Sequence, residues 1–212
     1  MRIKGLLLDL GRVIIDFDHT KALQWLSQKT GKPLNEIRDV LYGDNGCAIY
    51  HECGPLGISS DEFYREVCRR TGLRETMDDF FTAWKNIFSE TSPIENTLDQ
   101  IAPHVTVGIV SNTDPVHWSY IETLPVMQKF FPKNARVVRS YDVGVRKPHE
   151  NIFYAGLDAI GCEIRNTLFI DDNHHTVSEF RSLGGFAEQF DCALQPVQRL
   201  ERILSYYHVL KT

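Results

Sequence analysis

The chain has 212 residues, a formal net charge of −5 and a hydrophobic fraction of 42%. This composition is typical of a globular chain that buries one large core or two modest ones. The acidic balance lacks the basic surface that nucleic acids and anionic membranes attract, so we expect neither as a partner. No apolar run reaches transmembrane length, and the short N-terminal run stops at Asp9, which argues against a signal peptide.

Five cysteines are scattered along the chain and form no Cys-x-x-Cys pair: Cys47, Cys53, Cys68, Cys162 and Cys192. Their odd number and spacing favour reduced thiols and a cytoplasmic location. Cys47, His51 and Cys53 lie close enough in sequence to bind zinc together. The paired short spacings of zinc fingers are absent, however, and an ordinary loop is the favoured interpretation.

An N-terminal apolar run predicts the first strand, and this strand ends at Asp9. The glycine turn Asp9-Leu10-Gly11-Arg12-Val13 follows it directly. Open α/β sheets place their chemistry at the carboxyl ends of their strands. Asp9 is therefore the first candidate for a functional residue.

From about His19 to Phe88 the apolar residues recur at helical spacing, and strand signals are almost absent. The first helix is expected to end near Gly31 and the second to begin after Pro33. Ser59 and Glu62 have the spacing of a capping box, which starts a helix that closes at Gly72. An apolar and mostly aromatic group is expected to pack in the core of this segment or between domains: Phe80, Phe81, Trp84, Ile87 and Phe88.

From Ser92 onward, predicted strands alternate with predicted helices. The helices begin at 92–93, 115, 148, 173 and 196, and the strands cover 105–111, 135–138, 167–170 and 187–190. This alternation predicts βαβ units and a parallel sheet covered on both faces. We therefore expect an α/β fold, with a Rossmann-like parallel sheet core of residues 1–15 and 90–212 and an inserted α-helical cap of residues 16–89.

The carboxyl ends of parallel strands meet at one edge of a sheet, which should bring four polar groups together there. Asp9, Ser111 and the pair Asp171-Asp172 each follow an apolar strand, and Lys147 lies in a loop at the same edge. Mg²⁺ prefers a few carboxylates combined with waters and phosphate oxygens. A cation would also keep Asp9 ionised among its acidic neighbours, and hence nucleophilic.

A carboxylate nucleophile attacks phosphorus to form an aspartyl-phosphate, and the transferring group needs cations and hydrogen-bond donors around it. Lys147 supplies a positive charge. The Ser111 hydroxyl and the N–H groups after its strand can hold phosphate oxygens. The ordered set of groups therefore predicts phosphoryl transfer.

The four motifs together resemble those of the haloacid dehalogenase-like (HAD) hydrolase superfamily over essentially the whole chain. They are Asp9-Leu10-Gly11-Arg12-Val13, Ser111-Asn112-Thr113, Lys147-Pro148 and Asp171-Asp172. The residues of these motifs are similar to those of the glucose-1-phosphate phosphatase-like subgroup. The resemblance implies a Mg²⁺-dependent phosphatase that acts on a small phosphorylated metabolite.

The resemblance also implies a role for each motif residue. Asp9 is the phosphoryl acceptor and a metal ligand, and the Gly11 carbonyl and the pair Asp171-Asp172 complete the protein's metal ligands. Ser111 and Asn112 hold the phosphate. Lys147 bridges the phosphate and Asp9.

Gly11 departs from the pattern, because most phosphatases of the superfamily carry an aspartate there as general acid and base. This catalysis is typically worth about 10²–10⁴ in rate. Asp16, Asp18 or His19 could replace it, although Asp16 and Asp18 are more typical of residues that cap the next helix. A good leaving group, such as that of a sugar 1-phosphate, would need the acid less. Arg12 also departs, and either contacts phosphate or is a solvated turn residue.

Further residues could contribute to the site from outside the motifs. His51, Glu52 and the 54–57 loop could face the substrate, although an ordinary connector is favoured for each residue. His174 and His175 follow the acid pair, and a solvated helix start is the favoured interpretation for them.

Two other functions are compatible with part of this pattern. A haloacid dehalogenase would use the same aspartate without a metal, but the acid pair at 171–172 argues against it. A non-catalytic phosphate-binding or regulatory protein is the other alternative, and Gly11 favours it. A receiver domain is excluded by motif order, because its acid pair precedes the phosphoacceptor.

Overall fold

The computed structural model describes residues 2–43 and 59–211. Its strands form one parallel five-stranded sheet in the order β3-β2-β1-β4-β5. The strands are β1 Gly5–Leu8, β2 Thr106–Ser111, β3 Val137–Arg139, β4 Thr167–Asp171 and β5 Phe186–Gln189. The sequence-predicted candidates Cys47, His51, Glu52 and Cys53 and the 54–57 loop lie outside the described residues.

The central strands are buried on both faces, as expected for a parallel sheet with helices on each side. Alternate residues point to opposite faces. Leu6 and Leu8 of β1 belong to one apolar cluster, and Leu7 belongs to the other. Because β1 pairs with β2 and β4, Leu8 lies beside Ile109 on one side and Ile170 on the other. The carboxyl ends of these three strands are thus side by side.

Between β1 and β2 lies a segment that we call the helical insertion, which consists of the described helices α1 Thr20–Thr30, α2 Leu34–Tyr42, α3 Ser60–Thr71 and α4 Met77–Lys85. Gly31 and Gly72 end two of these helices in the left-handed conformation. The capping box at Ser59 and Glu62 is present as predicted. The helices share an apolar cluster of their own around Phe80.

The remaining helices cover the sheet or precede its strands: α5 Glu95–Asp99, α6 Pro115–Ile121, α7 Pro125–Phe130, α8 Ser140–Val143, α9 Glu150–Ile160, α10 His174–Ser182 and α11 Val197–Tyr206. None of the helices in the described ranges is long and apolar enough to cross a membrane. Short 3₁₀ turns lie at Pro132–Asn134 and Ile164–Asn166.

Most predicted elements are confirmed, with differences at their boundaries. The helix predicted from Ser92 is only α5, and the strand predicted from Ala135 begins at Val137. Ile87 and Phe88 lie beyond the end of α4 at Lys85 rather than on its face. Phe88 instead forms an antiparallel bridge with Phe17.

The start and end of the helical insertion run side by side next to the sheet. Asp18 N–H donates to Ile87 O over 2.9 Å, and Ser89 N–H donates to Asp16 O over 2.9 Å. This paired entry and exit places residues 16–19 beside the carboxyl end of β1.

Candidate active site

Three carboxylates meet at the carboxyl edge of the two central strands. Asp9 follows β1 directly, Asp171 is the last residue of β4, and Asp172 is next in the chain. Each offers one carboxylate oxygen to a group whose members all lie within 4.8 Å of one another. The strand pairing of β1 with β4 produces this arrangement, because it sets Leu8 opposite Ile170.

Lys147 lies between two of these carboxylates. Its Nζ is 2.7 Å from Asp9 Oδ1 and 2.6 Å from Asp171 Oδ2. The Lys147 side chain is only 3% exposed, and its Nζ also lies 5.6 Å from the centre of the Phe169 ring. Burial without partners would be costly for an ammonium group, and the two carboxylates provide the required partners.

The titration of this group reflects crowding of like charges in a buried place. Burial raises the pKa of Asp9 to about 7, and Asp171 adds to the rise while Lys147 opposes it. Burial and then Asp171 raise the pKa of Asp172 to about 6. Burial alone would lower the pKa of Lys147, but Asp171 and Asp9 outweigh it and raise that pKa. Three acids with one lysine therefore leave an excess of negative charge.

This donor set fits a hard divalent cation. Carboxylate oxygens are the ligands that Mg²⁺ prefers, and a few of them suffice because Mg²⁺ keeps several waters. Leu10 N–H donates to Asp9 Oδ1 over 2.6 Å, and Asn173 N–H donates to Asp171 Oδ1 over 2.8 Å. The first bond holds the Asp9 oxygen that Lys147 contacts, and the second holds the Asp171 oxygen that Lys147 does not contact.

Ser111 and Asn112 lie at the end of β2, next to Asp9 across the sheet. The amide of Asn112 bonds the backbone of Lys147 twice, since Oδ1 accepts from Lys147 N over 2.8 Å and Nδ2 donates to Lys147 O over 3.1 Å. Ser111 is 3% exposed and lines a small cavity at this edge together with Gly11. Asn112 therefore positions Lys147, in addition to any contact it makes with phosphate.

Known proteins share this architecture over most of the chain. No protein-family model matches the chain. The sequence is 29% identical to D-ribitol-5-phosphate phosphatase of Bacteroides thetaiotaomicron over 188 residues, which cover 86% of this chain and 89% of the relative. Among solved structures, a HAD-like family hydrolase from Porphyromonas gingivalis superposes with a TM-score of 0.77 at 23% identity, covering 96% of this chain and 98% of the other.

A HAD family enzyme from B. thetaiotaomicron, in complex with magnesium and inorganic phosphate, superposes with a TM-score of 0.72 at 22% identity. The match covers 88% of this chain and 93% of that one. The chain has the fold of the HAD hydrolase superfamily. The comparisons confirm the expected fold and the expected enzyme class, a HAD-like hydrolase, while the glucose-1-phosphate phosphatase-like subgroup stays a prediction.

Gly11 stands where most HAD phosphatases carry their general acid, and its neighbour Phe17 explains the absence of a side chain. A Cβ atom on Gly11 would lie 2.6 Å from Phe17 Cε1, so any side chain there would force the ring to shift. Phe17 is held by its bridge to Phe88 and by edge-on packing against His19, with ring centroids 4.8 Å apart. The space that a general acid needs is filled by an aromatic ring.

Two of the residues proposed from sequence to replace the acid are engaged elsewhere. Asp18 accepts from both Thr20 N–H and Thr20 Oγ1 at the start of α1, and these bonds lower its pKa. Asp16 accepts from Phe17 N–H over 2.8 Å and pairs with Arg12 over 3.3 Å. Both are thus used as turn and capping groups, which was the favoured expectation.

His19, the third candidate, lines the same cavity as Gly11, Ser111 and Asn112. Its Nδ1 lies 3.1 Å from the Tyr42 hydroxyl of α2. Burial, followed by the nearby His117, lowers the pKa of His19 to about 4. The ring is therefore neutral at physiological pH.

Arg12 adopts a left-handed conformation with φ of 62° in the turn after Asp9. Its guanidinium pairs with Asp16 and lies 5.2 Å from the centre of the Phe17 ring. Its carbonyl accepts from Cys192 N–H over 2.6 Å. These contacts stabilise the turn. Burial raises the pKa of the Cys192 thiol to about 12.

His117 is a buried polar residue of the site region that the sequence motifs do not indicate. It is 2% exposed, and its Nδ1 lies 2.7 Å from Asp114 Oδ2, while its Nε2 lies 3.1 Å from Trp84 O. Asp114 is the N-cap of α6, so the Asp-Pro-x-His spacing is the local signal that could have revealed the pair. Because Trp84 belongs to α4, this contact joins the helical insertion to the core.

His174 and His175 are exposed at the start of α10, with ring centroids 3.9 Å apart. Asn173 caps this helix by accepting from His175 N–H over 2.9 Å. Their placement agrees with the solvated helix start expected from the sequence.

Proposed function

We propose that the protein is a Mg²⁺-dependent phosphomonoester hydrolase that works through an aspartyl-phosphate on Asp9. The observation that carries this proposal is the arrangement of Asp9, Asp171 and Asp172 within 4.8 Å of one another around the buried Nζ of Lys147. This combination provides a nucleophile, a cation site and a fixed positive charge at one point. Phosphoryl transfer requires these three elements.

Asp9, Asp171 and Asp172 would hold the Mg²⁺ with the carbonyl of Gly11. The bound cation would supply charge neutralisation for the carboxylates and for a phosphate ester. The pKa of Asp9, raised to about 7 by burial, indicates why such neutralisation matters. A carboxylate that is protonated at neutral pH is not a nucleophile.

Lys147 and Leu10 N–H both bind Asp9 Oδ1, so Oδ2 lies outside these contacts and would be the oxygen that attacks the substrate. Attack by Oδ2 on phosphorus forms the Asp9–phosphate bond and breaks the bond to the leaving oxygen. Ser111, at the end of β2, would hold a phosphate oxygen with its hydroxyl, and Asn112 with its backbone N–H. Water then attacks the phosphorus and releases Asp9 and inorganic phosphate.

We assign the helical insertion, with its flanking residues 16–89, as a cap over the catalytic core of residues 1–15 and 90–212. A cap that contacts the site excludes water from it and contributes to substrate selection. The contact between His117 on the core and Trp84 O on the insertion supports this assignment.

Two substrate classes are supported by different observations. Gly11, which has no acidic side chain, and the resemblance to the glucose-1-phosphate phosphatase-like subgroup favour a sugar 1-phosphate, whose leaving group needs less protonation. The relative that acts on D-ribitol 5-phosphate favours a polyol phosphate. Both are small phosphorylated metabolites.

The test is release of inorganic phosphate from a panel of sugar 1-phosphates, polyol phosphates and p-nitrophenyl phosphate, with Mg²⁺ and with chelator. We expect release that requires Mg²⁺ and disappears in Asp9→Asn. The matched control is Asp158→Asn, because Asp158 is an exposed aspartate of α9. The ranking of the panel decides between the two substrate classes.

Two outcomes would support the alternatives. Phosphate binding by wild-type protein without release from any ester would indicate a non-catalytic phosphate-binding or regulatory protein. Halide release from 2-haloacids in the presence of chelator would indicate a dehalogenase. The excess of carboxylates around Lys147 argues against the latter, because a metal-free dehalogenase does not need Asp172.

A further inference from the structure

We propose that His19 donates a hydrogen bond to the leaving-group oxygen of the substrate, in place of the general acid that position 11 lacks. This inference rests on the phosphatase function proposed above. It assigns a catalytic role to a residue outside the four motifs of the superfamily.

His19 lies beside the position that lacks the acid. A cavity of about 60 Å³ adjoins the carboxyl end of β1, and Gly11, Ser111 and His19 all line it. Gly11 marks the place of the missing acid, and Ser111 marks the phosphate side of the site. A substrate phosphate between Asp9 and Ser111 would thus direct its ester oxygen toward this cavity.

Phe17 occupies the space that an acidic side chain at position 11 would need, and it packs against His19. The Phe17 ring lies 2.6 Å from the place of a Gly11 Cβ, so an acid at position 11 would require the ring to move. His19 packs edge-on against that same ring, at 4.8 Å between centroids. His19, on the same segment as Phe17, is therefore a polar residue that borders the blocked position.

The two acidic neighbours of His19 on the same segment, Asp16 and Asp18, are engaged in other contacts. Asp16 is paired with Arg12, and Asp18 caps α1 through Thr20. Neither of them lines the cavity, whereas His19 does.

The tautomer and charge of the His19 ring also suit this role. When the Tyr42 hydroxyl donates to His19 Nδ1, at 3.1 Å, the neutral imidazole carries its proton on Nε2. The low pKa of His19, about 4 because of burial and the neighbouring His117, keeps the ring neutral. A neutral imidazole stabilises developing negative charge by donating a hydrogen bond, and it does not lose its proton.

The reaction balances on this assignment. As the phosphorus–oxygen bond breaks, its electron pair stays on the leaving oxygen, which accepts a hydrogen bond from His19 and a proton from solvent water. The hydroxide that remains is neutralised by the proton released when a second water attacks the aspartyl-phosphate. His19 ends each turnover in the state in which it began.

The test compares two substrates whose leaving groups differ in their need for a donor. We expect His19→Ala to lower kcat/KM for an alkyl phosphate such as glycerol 1-phosphate by roughly 10–10³-fold, the range for loss of one oxyanion donor. For p-nitrophenyl phosphate, whose leaving group is stable as an anion, we expect a change of less than about threefold. His19→Gln keeps an N–H donor, and we expect it to regain part of the alkyl phosphate activity.

Three controls separate this proposal from simpler explanations. His104→Ala alters an exposed histidine at the far end of β2, and we expect no change with either substrate. Tyr42→Phe removes the hydroxyl at His19 Nδ1, and we expect a smaller loss confined to alkyl phosphates. Far-UV circular dichroism and Tm show whether each variant is folded, and His19→Gln provides the comparison if His19→Ala is not.

Equal losses on both substrates in His19→Ala and His19→Gln would overturn the proposal, because they would indicate a structural role. In that case Mg²⁺-dependent turnover by the wild type, abolished in Asp9→Asn, would leave the phosphatase function standing. Absence of turnover in the wild type would overturn both.

Discussion

The amide group of Asn112 spans the backbone of Lys147, accepting a hydrogen bond from its N–H at 2.8 Å and donating one to its carbonyl at 3.1 Å. Among the described residues of the second motif, Asn112 is the one that hydrogen-bonds the third motif. The Nζ of the same lysine lies 2.7 Å from Asp9. A side chain just after β2 therefore fixes the position of the ammonium that contacts Asp9, just after β1.

We call this pair of hydrogen bonds the Asn112 clamp. Its removal should reduce activity without removing any charge. We expect Asn112→Ala to lower kcat by about 10–10²-fold and the free energy of unfolding by about 1–3 kcal/mol, because two hydrogen bonds to partly buried backbone groups are lost. Steady-state kinetics and urea denaturation measure the two effects. Asn151→Ala, at an exposed position in α9, is the matched control. Unchanged kcat in Asn112→Ala would show that Lys147 is positioned without the clamp.

The contact between Gly11 and Phe17 leads to a second prediction. Gly11→Asp alone should destabilise the fold by roughly 1–3 kcal/mol, the usual cost of overpacking, because its Cβ would lie 2.6 Å from the Phe17 ring. The double variant Gly11→Asp with Phe17→Ala opens the necessary space. We expect its Tm to lie above the value obtained by adding the two single effects.

A double-mutant cycle on Tm and on alkyl phosphate turnover tests this prediction. Strict additivity of the two substitutions would contradict it, since the clash would then be absent. Higher alkyl phosphate activity in the double variant than in Phe17→Ala would show that the geometry again accommodates an acid at position 11.

The raised pKa values of Asp9 and Asp172 predict how Mg²⁺ and pH act together. Their pKa values are about 7 and about 6, against 3.8 for an ordinary aspartate. On raising the pH from 4 to 7 the unfolded chain loses these protons first, so the metal-free fold loses stability over that window. Mg²⁺ binds the ionised carboxylates, and it should therefore stabilise the protein more at pH 8 than at pH 5.

Differential scanning fluorimetry with Mg²⁺ or chelator at both pH values measures this coupling. We expect the Mg²⁺-induced rise in Tm at pH 8 to exceed that at pH 5 by a few degrees, since about 1 kcal/mol corresponds to roughly 2–4 °C in a chain of this size. Asp9→Asn should reduce the difference. An equal rise at both pH values would contradict binding at the carboxylates.

His19 predicts the opposite dependence on pH. Its pKa is lowered from 6.5 to about 4, chiefly by burial, so the unfolded chain takes up this proton first as the pH falls. Stability that is present above pH 6.5 is then lost between pH 6.5 and pH 4. We expect His19→Gln to lose less stability than the wild type over this window, by on the order of 1–3 kcal/mol.

Urea denaturation of the wild type and His19→Gln at pH 7 and pH 4.5 tests this expectation. His104→Gln, at an exposed site, should follow the wild type. Parallel pH profiles for the wild type and His19→Gln would contradict the burial of a neutral His19.

The sequence predicted the core of the site because its chemistry depends on strand order and strand ends. Asp9, Ser111 and Asp171 each follow a run of apolar residues, and parallel pairing of these runs brings them together. The relationship between Gly11 and Phe17 was not predictable in this way. It depends on the return of the chain near Phe88, which fixes the ring at a place that local spacing does not define.

The same reasoning explains the differences in secondary structure. Helices α7 and α8 are too short for their apolar residues to show a helical period, and they were not predicted. Phe88 continues the spacing of the α4 face, but the helix ends at Lys85 and the chain turns toward Phe17. Tertiary contact, rather than propensity, decides that boundary.

The position of β1 in the middle of the sheet has a consequence for how the protein is made. Leu6 pairs with Val107 on one side and with Leu168 on the other. β1 thus gains its second neighbour only after the chain between Leu6 and Leu168 has been synthesised. Pairings between residues so far apart in sequence form slowly, because a large loop must close before the contacts can form. Asp9, which follows β1, therefore reaches its final surroundings only after β4 has been synthesised and has paired with β1.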